Sequence, residues 1–218
     1  MWGWRLSSPF LKMAKTYFTA DLHLGDRKVM ELDRRPFSDL GEQDEEIIRR
    51  WNRLVCENDR VYILGDLSSY GEEKTVSIVK RLNGKKHFIR GNHDRLESEA
   101  FRECFESVGD YDEINVDGKH VVLCHYPIAH WRGQRYGYLH LYGHTHNGED
   151  HELFELYRAM CRERGIRFYA YNVGCMFHDY SPVSIDELIL KAKAEKELRE
   201  REMARTESEE EENEGTEA

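Results

Sequence analysis

An α/β architecture with mixed sheets is predicted from two features of the sequence. Short β-branched or apolar runs alternate with helix-spaced segments through the first half, and a hairpin-rich half follows. The first strand is expected at 16–20 (TYFTA). Asp39 with Glu42 forms a capping box, and Ile47, Ile48, Trp51, Leu54 and Val55 follow at helical spacing. The apolar run VYIL at 61–64 is of the buried parallel-strand kind. A helix with Val76, Val79 and Leu82 on one face stops at Asn83-Gly84, where glycine permits the left-handed turn. A third strand is expected at 86–90, and a charged helix at 97–107. YDEINV and KHVVLC flank Asp117-Gly118 as a hairpin. Further strands are expected at 139–142 and 167–173, with a helix near 150–163 between them. Ser184 and Glu187 open a last helix whose apolar stripe fades past Leu190.

Composition bounds the rest. The chain has 218 residues, 39 % of them hydrophobic and 34 % charged, which suits one globular domain with a solvated surface. Residues 15–190 are expected to form that domain, preceded by a disordered leader at 1–14, with Met13 the more natural start. Residues 191–218 are expected as a charged helix running into a disordered acidic tail. No apolar stretch is long enough to span a membrane, and no continuous apolar core marks a secretion signal, so the cytoplasm is the expected location. The five scattered cysteines contain no C-x-x-C pair and read as reduced thiols. Net charge is −10, and seven Glu after Thr206 account for most of it, leaving about −3 on the rest. That balance provides no global attraction for nucleic acid, and any such contact would need a local basic patch.

Five short motifs fall at or just after the expected strands. They are D-L-H (Asp21, His23), G-D (Asp66), G-N-H-D (Asn92, His93, Asp94), C-H-Y-P (His125) and G-H-T-H (His144, His146). A period of two places both members of D-x-H, and both of H-x-H, on one side of an extended segment. Strand carboxyl ends are where α/β sheets present ligands, and Asp, Asn and His suit divalent transition metals. Glycines before Asp66, Asn92 and His144 read as points of sharp turning or close backbone approach.

This ordered set resembles the calcineurin-like metallophosphoesterase superfamily, over about four-fifths of the chain. R-P-F at 35–37 and the N-V-G…Y-S-P-V-S segment are similar to its small bacterial and phage phosphoesterases. The resemblance implies a sandwich of two mixed β-sheets flanked by helices (α/β/β/α). It also implies two metals: Asp21, His23 and His146 on the first, Asn92, His125 and His144 on the second, and Asp66 bridging them. His93 would be the catalytic histidine, Asp94 would orient it through a hydrogen bond, and Arg90 would contact phosphate. The segment G-D-L-S-S-Y-G departs from the G-D-x-x-D-R-G of the protein serine/threonine phosphatases, which argues against a phosphoprotein substrate.

Two metals sharing a water bring its pKa toward neutrality, so hydrolysis by a metal-bridging hydroxide is the expected chemistry. Two carboxylates against two divalent ions leave a positive surplus for an anionic substrate, and Asn92 in place of Asp preserves it. Manganese is the expected activating ion, with iron, zinc and nickel suited to the same donors. The substrate is expected to be a phosphodiester or a small phosphorylated or nucleotide compound. A nuclease and an inactive metal-binding scaffold for a protein partner are the alternatives, and oligomeric state is left open. Arg27, Lys28, Arg34 and Arg35, and His130, Arg132 and Arg135 in the aromatic loop after His125, are candidates to line the cleft. His87, His120, His140, His151 and His178 read as structural or solvated, and Cys124 as a small buried hydrophobe.

Overall fold

A computed structural model describes residues 14–191 and, beyond them, 193, 194, 196–198 and 201. The expected leader, except for Ala14, and the acidic tail lie outside the described residues. The first sheet has the order β4-β3-β2-β1-β9, formed by β1 (Thr16–Thr19), β2 (Arg60–Leu64), β3 (Lys85–Ile89), β4 (Ser107–Gly109) and β9 (Val183–Ser184). Its first four strands are parallel and β9 is antiparallel. The second sheet has the order β5-β6-β7-β8, formed by β5 (Tyr111–Val116), β6 (Lys119–Cys124), β7 (Leu139–Tyr142) and β8 (Ala170–Asn172). Here β5 is antiparallel to β6, and β6, β7 and β8 run parallel.

Strand alternation builds three apolar layers. Phe18, Tyr62 and Leu64 face Val121, Leu123, Leu141 and Tyr171 between the sheets. Their strand neighbours Tyr17, Val61 and Ile63 point outward onto Ile47, Ile48 and Trp51 of α2 (Leu40–Leu54), and onto Ile78 and Val79 of α3 (Glu72–Val79). On the far side, Val122, Tyr142 and Ala170 meet Phe154 and Cys161 of α5 (Glu149–Glu163). A period of two therefore feeds two apolar faces from each sheet, and the α/β/β/α sandwich is the result.

The caps behave as chemistry requires. Glu42 N–H donates to Asp39 at 2.9 Å, while the Glu42 carboxylate turns to Ser38 N–H and hydroxyl at 2.6 Å. Ser184 and Glu187 satisfy each other in both directions (2.8 and 3.2 Å), and the chain is helical over 185–191.

Three elements differ from expectation. The charged helix at 97–107 is only the single turn α4 (Glu99–Arg102), and the chain then becomes β4. Phe101 and Phe105 have helical spacing, yet both rings pack on Phe88, and pairing beside β3 takes the residues that follow. The strand at 167–173 shortens to Ala170–Asn172. A short helix, α1 (Arg27–Leu32), opens where only a basic loop was expected, because Asp26 accepts from Val29 N–H at 3.1 Å.

Candidate metal centre

Each motif leaves the carboxyl end of a strand. Asp21 and His23 follow β1, Asp66 follows β2, Asn92 to Asp94 follow β3, His125 follows β6, and His144 and His146 follow β7. Both sheets thus deliver side chains to one end of the sandwich. The backbone there is contorted: Asp21, His23, Asp66, His144 and His146 have φ of 55°, 45°, 53°, 71° and 42°. Each costs on the order of 1–3 kcal/mol, which the surrounding ladder must offset, and such outliers cluster at functional sites. Asp21 N–H donates to Gly65 O (3.0 Å) and His23 N–H to Asp66 O (2.9 Å), extending the β1–β2 pairing past the strands. Close approach explains two glycines. A Cβ on Gly143 would lie 2.5 Å from Asp21 Oδ2, and one on Gly91 would collide with Asp66 Oδ1.

The seven residues expected as ligands converge. His23 Nε2 and His146 Nε2 stand 3.2 Å apart, and His146 Nε2 is 3.8 Å from Asp21 Oδ1. One ligand atom from each of Asp21, His23, Asp66 and His146 falls within 4.8 Å of all the others. On the other side, Asn92 Oδ1 lies 3.0 Å from His125 Nε2 and 2.9 Å from His144 Nδ1. Asp66 stands between the groups, its Oδ2 3.4 Å from His23 Nε2 and 3.5 Å from His125 Nε2.

Several rings are held so that a bare nitrogen faces inward. His125 Nδ1–H donates to Leu64 O at 2.8 Å, which leaves its Nε2 lone pair for the cluster. His146 Nδ1–H donates to Asp33 at 2.9 Å, with the same effect. Burial pushes the Asp66 carboxyl up, but the His23 hydrogen bond and nearby His125 outweigh it and bring it down to about 2. Burial dominates at Asp21 and raises its carboxyl despite two histidines and the His144 N–H at 3.0 Å. A fully buried carboxylate with no Lys or Arg on its oxygens among the described residues, set among facing imidazoles, is a set that divalent cations satisfy. The donors fit such ions, with Asp21, His23 and His146 for one, Asn92, His125 and His144 for another, and Asp66 for both.

The remaining expected residues surround this cluster. The His93 ring is exposed and sits edge-on to His23, centroids 5.3 Å apart, while the His93 backbone N–H donates to Asp66 Oδ1 at 3.0 Å. Asp94 does not orient that ring. Its oxygens accept backbone N–H groups of Asp66 and Gly91 at 2.7 Å and of Leu67 at 3.0 Å, binding together the loops that carry Asp66 and Asn92. Three backbone donors on one carboxylate beside two tight turns take up the oxygens that an exposed imidazole would need. Arg90 is paired with Asp110 at 2.8 Å, which draws its guanidinium onto the neighbouring strand's loop.

Arg35 is buried beneath the centre, not in the cleft: it donates to Asp33 (3.0 Å), Leu22 O (2.8 Å) and Asp21 O (2.9 Å). Arg132 pairs with Glu113. Arg34 does line a cleft of about 570 Å³ beside His144 and His146, together with Asp33, Glu149 and Asp150. His140 is fully buried and structural, as expected: Ile128 N–H donates to its Nε2 (3.0 Å), and its Nδ1–H faces Val122 O (3.2 Å). Cys124 is half-buried, and burial raises its thiol.

Two participants escaped the sequence reading. Asp33 supports His146, but an acid in a loop before Arg-Arg-Pro carries no periodic signal. Asn172 ties the H-x-H turn to β8 by donating to Thr145 Oγ1 (3.1 Å) and accepts Gly174 N–H (2.8 Å), and its place at the carboxyl end of β8 was the available clue.

Comparison with known proteins now settles the family. The calcineurin-like phosphoesterase superfamily domain matches residues 16–164. The chain belongs to that superfamily. It is 30 % identical over 191 residues to an uncharacterised protein of Methanocaldococcus jannaschii, covering 87 % of this chain and 97 % of that one. It is 32 % identical over 165 residues to the Gene 66 protein of Mycobacterium phage L5, covering 62 % and 79 % respectively. A solved structure of a protein of unknown function from Aquifex aeolicus superposes with a TM-score of 0.63 at 25 % identity, over 80 % of this chain and 97 % of that one. Calcineurin-like phosphoesterases are metal-dependent hydrolases, consistent with the donor cluster. No helix among the described residues is long and apolar enough to cross a membrane.

Proposed function

We propose that this chain is a two-cation phosphoesterase that hydrolyses a phosphodiester or another small phosphorylated or nucleotide substrate. One observation carries the reading: a single oxygen, Asp66 Oδ2, lies 3.4 and 3.5 Å from imidazoles of two separate donor groups. Manganese is the proposed activating ion. Two divalent cations, when bound, would supply an ionised water at neutral pH and a positive surface for phosphoryl oxygens. Asp21 and Asp66 bring two negative charges, and the remaining donors are neutral, so the site keeps a net attraction for an anion.

The chain's own residues divide the rest. His93, exposed beside His23, is placed to protonate a leaving oxygen. Asp94 keeps the Asp66 and Asn92 loops in register. Asp33, Glu149 and Asp150 line the adjoining cleft and repel a long polyanion laid through it, favouring a short substrate or a strand end.

The test is hydrolysis of bis(p-nitrophenyl) phosphate against p-nitrophenyl phosphate with Mn²⁺. Faster diester turnover that EDTA abolishes is the expected result. His93→Ala should bind the metal normally and lose ~10²–10⁴-fold in rate. Wild-type rates in that variant would refute its role, and metal-independent turnover would refute the whole reading.

A further inference from the structure

The two ends of the second sheet differ in charge. The carboxyl ends of β6 and β7 carry the candidate metal centre and its acid-lined cleft. Three adjoining hollows meet at the opposite end, where β6, β7 and β8 begin. One of 270 Å³ is bounded by Lys119, Tyr136 and Tyr169, and another of 440 Å³ by Arg135 and Arg167. A shallow third joins them, sharing Tyr169 with the first and Arg167 with the second, and adds Arg162. Among the described residues no Asp or Glu lines any of the three, although acidic groups outnumber basic ones 42 to 32 in the chain. Nor do Lys119, Arg135, Arg162 or Arg167 join an ion pair among the described residues. Tyr136 is 84 % exposed at the tip of the turn Gln134–Tyr136.

We propose that this face binds single-stranded nucleic acid, remote from the metal centre. Lys119, Arg135, Arg162 and Arg167, without ion-pair partners among the described residues, repel one another, and a polyanion relieves that repulsion. Exposed aromatic faces set among them suit unpaired bases, which every sequence can stack. Duplex has no accessible base faces to offer Tyr136. Lys119 begins β6 and His125 follows its last residue, so six residues of extended chain, about 20 Å, separate this face from the donor cluster. The face therefore anchors a strand without lying in the reaction path. Binding at this face does not require the phosphoesterase chemistry.

The test is fluorescence anisotropy of the full chain with a labelled oligo(dT) of about 30 nucleotides, in EDTA and again with Mn²⁺. Affinity should fall steeply between about 50 and 200 mM salt. Lys119→Glu with Arg167→Glu should weaken binding at least about tenfold and flatten the salt slope, as loss of two phosphate contacts requires. Tyr136→Ala should weaken binding roughly tenfold with the slope unchanged. Circular dichroism and thermal melts of all these variants should match the wild type, which shows that they fold. No binding at the lowest salt, wild-type affinity in the charge-reversed variant, or displacement by polyglutamate as effective as by unlabelled oligo(dT) would each overturn the proposal.

Discussion

The two halves of the candidate centre are built to different standards. Asp21 and His23 are sealed from solvent, and His146 beside them is backed by a buried carboxylate, Asp33, that Arg35 clamps in turn. Asn92 is exposed and His144 half-buried, and behind His125 stands only a neutral carbonyl, Leu64 O. A carboxylate behind an imidazole fixes the ring and strengthens it as a donor, and a carbonyl does so less. Burial lowers the His146 imidazole, but the Asp33 hydrogen bond and the charges of Asp21 and Asp33 prevail and raise it. The difference teaches that one donor cluster can pair a sealed, carboxylate-backed half with an open, carbonyl-backed one. A cation in the first would meet the more firmly held donors, and one in the second would lie at the rim.

The most severe way to break this contrast is to remove what both halves share. Asp66→Ala should lower hydrolysis by on the order of 10³-fold or more, the several kcal/mol that such ions contribute. Calorimetry should show both Mn²⁺ equivalents weakened together. Loss of one equivalent alone would mean that Asp66 serves only one half.

Asp33→Asn sharpens the contrast instead. Asn still offers His146 an acceptor but no charge. The tighter Mn²⁺ equivalent should weaken roughly 10–100-fold while the weaker one is unchanged. Arg35 keeps its two carbonyl partners, so the fold should survive, which a thermal melt checks. Equal weakening of both equivalents would erase the distinction.

The smallest effect concerns the scaffold under the exposed half. His140 ties Ile128, in the loop that follows His125, to β6. Burial depresses its imidazole from 6.5 to about 4, so it folds in the neutral form. The unfolded chain binds a proton first as pH falls, and stability should therefore drop between about 6.5 and 4. Linkage makes the loss roughly 2 kcal/mol at pH 4.5 relative to pH 7. Urea melts at the two pH values measure it, and His140→Asn should lose this pH dependence. An unchanged dependence in the variant would assign the effect to other groups.

Much of this was legible before any coordinates. Buried strands announce themselves by composition, and helices by spacing and caps, because both depend on neighbours a few residues away. The error at 97–107 arose where the i, i+4 pair Phe101 and Phe105 suits a helix but a distant strand competes for the same backbone. At the centre, Asp21, His23, Asp66, Asn92, His125, His144 and His146 were readable because each lies in a motif hinged on a strand end. Asp94 lies in one of the same motifs and Arg90 just before it, yet pattern could not supply the contacts they make: a carboxylate or guanidinium takes whichever donor or acceptor the fold brings near, Asp66 and Gly91 N–H in one case and Asp110 in the other.

Residue pattern alone thus determines the candidate donors and the class of the fold, since alternation, turn glycines and motif order are local properties of a chain. Tertiary structure decides which candidate donors stand together, which half is sealed, and where the basic face lies. Those depend on contacts between segments such as Asp33 and His146, 113 residues apart, whose meeting is a consequence of packing two sheets together.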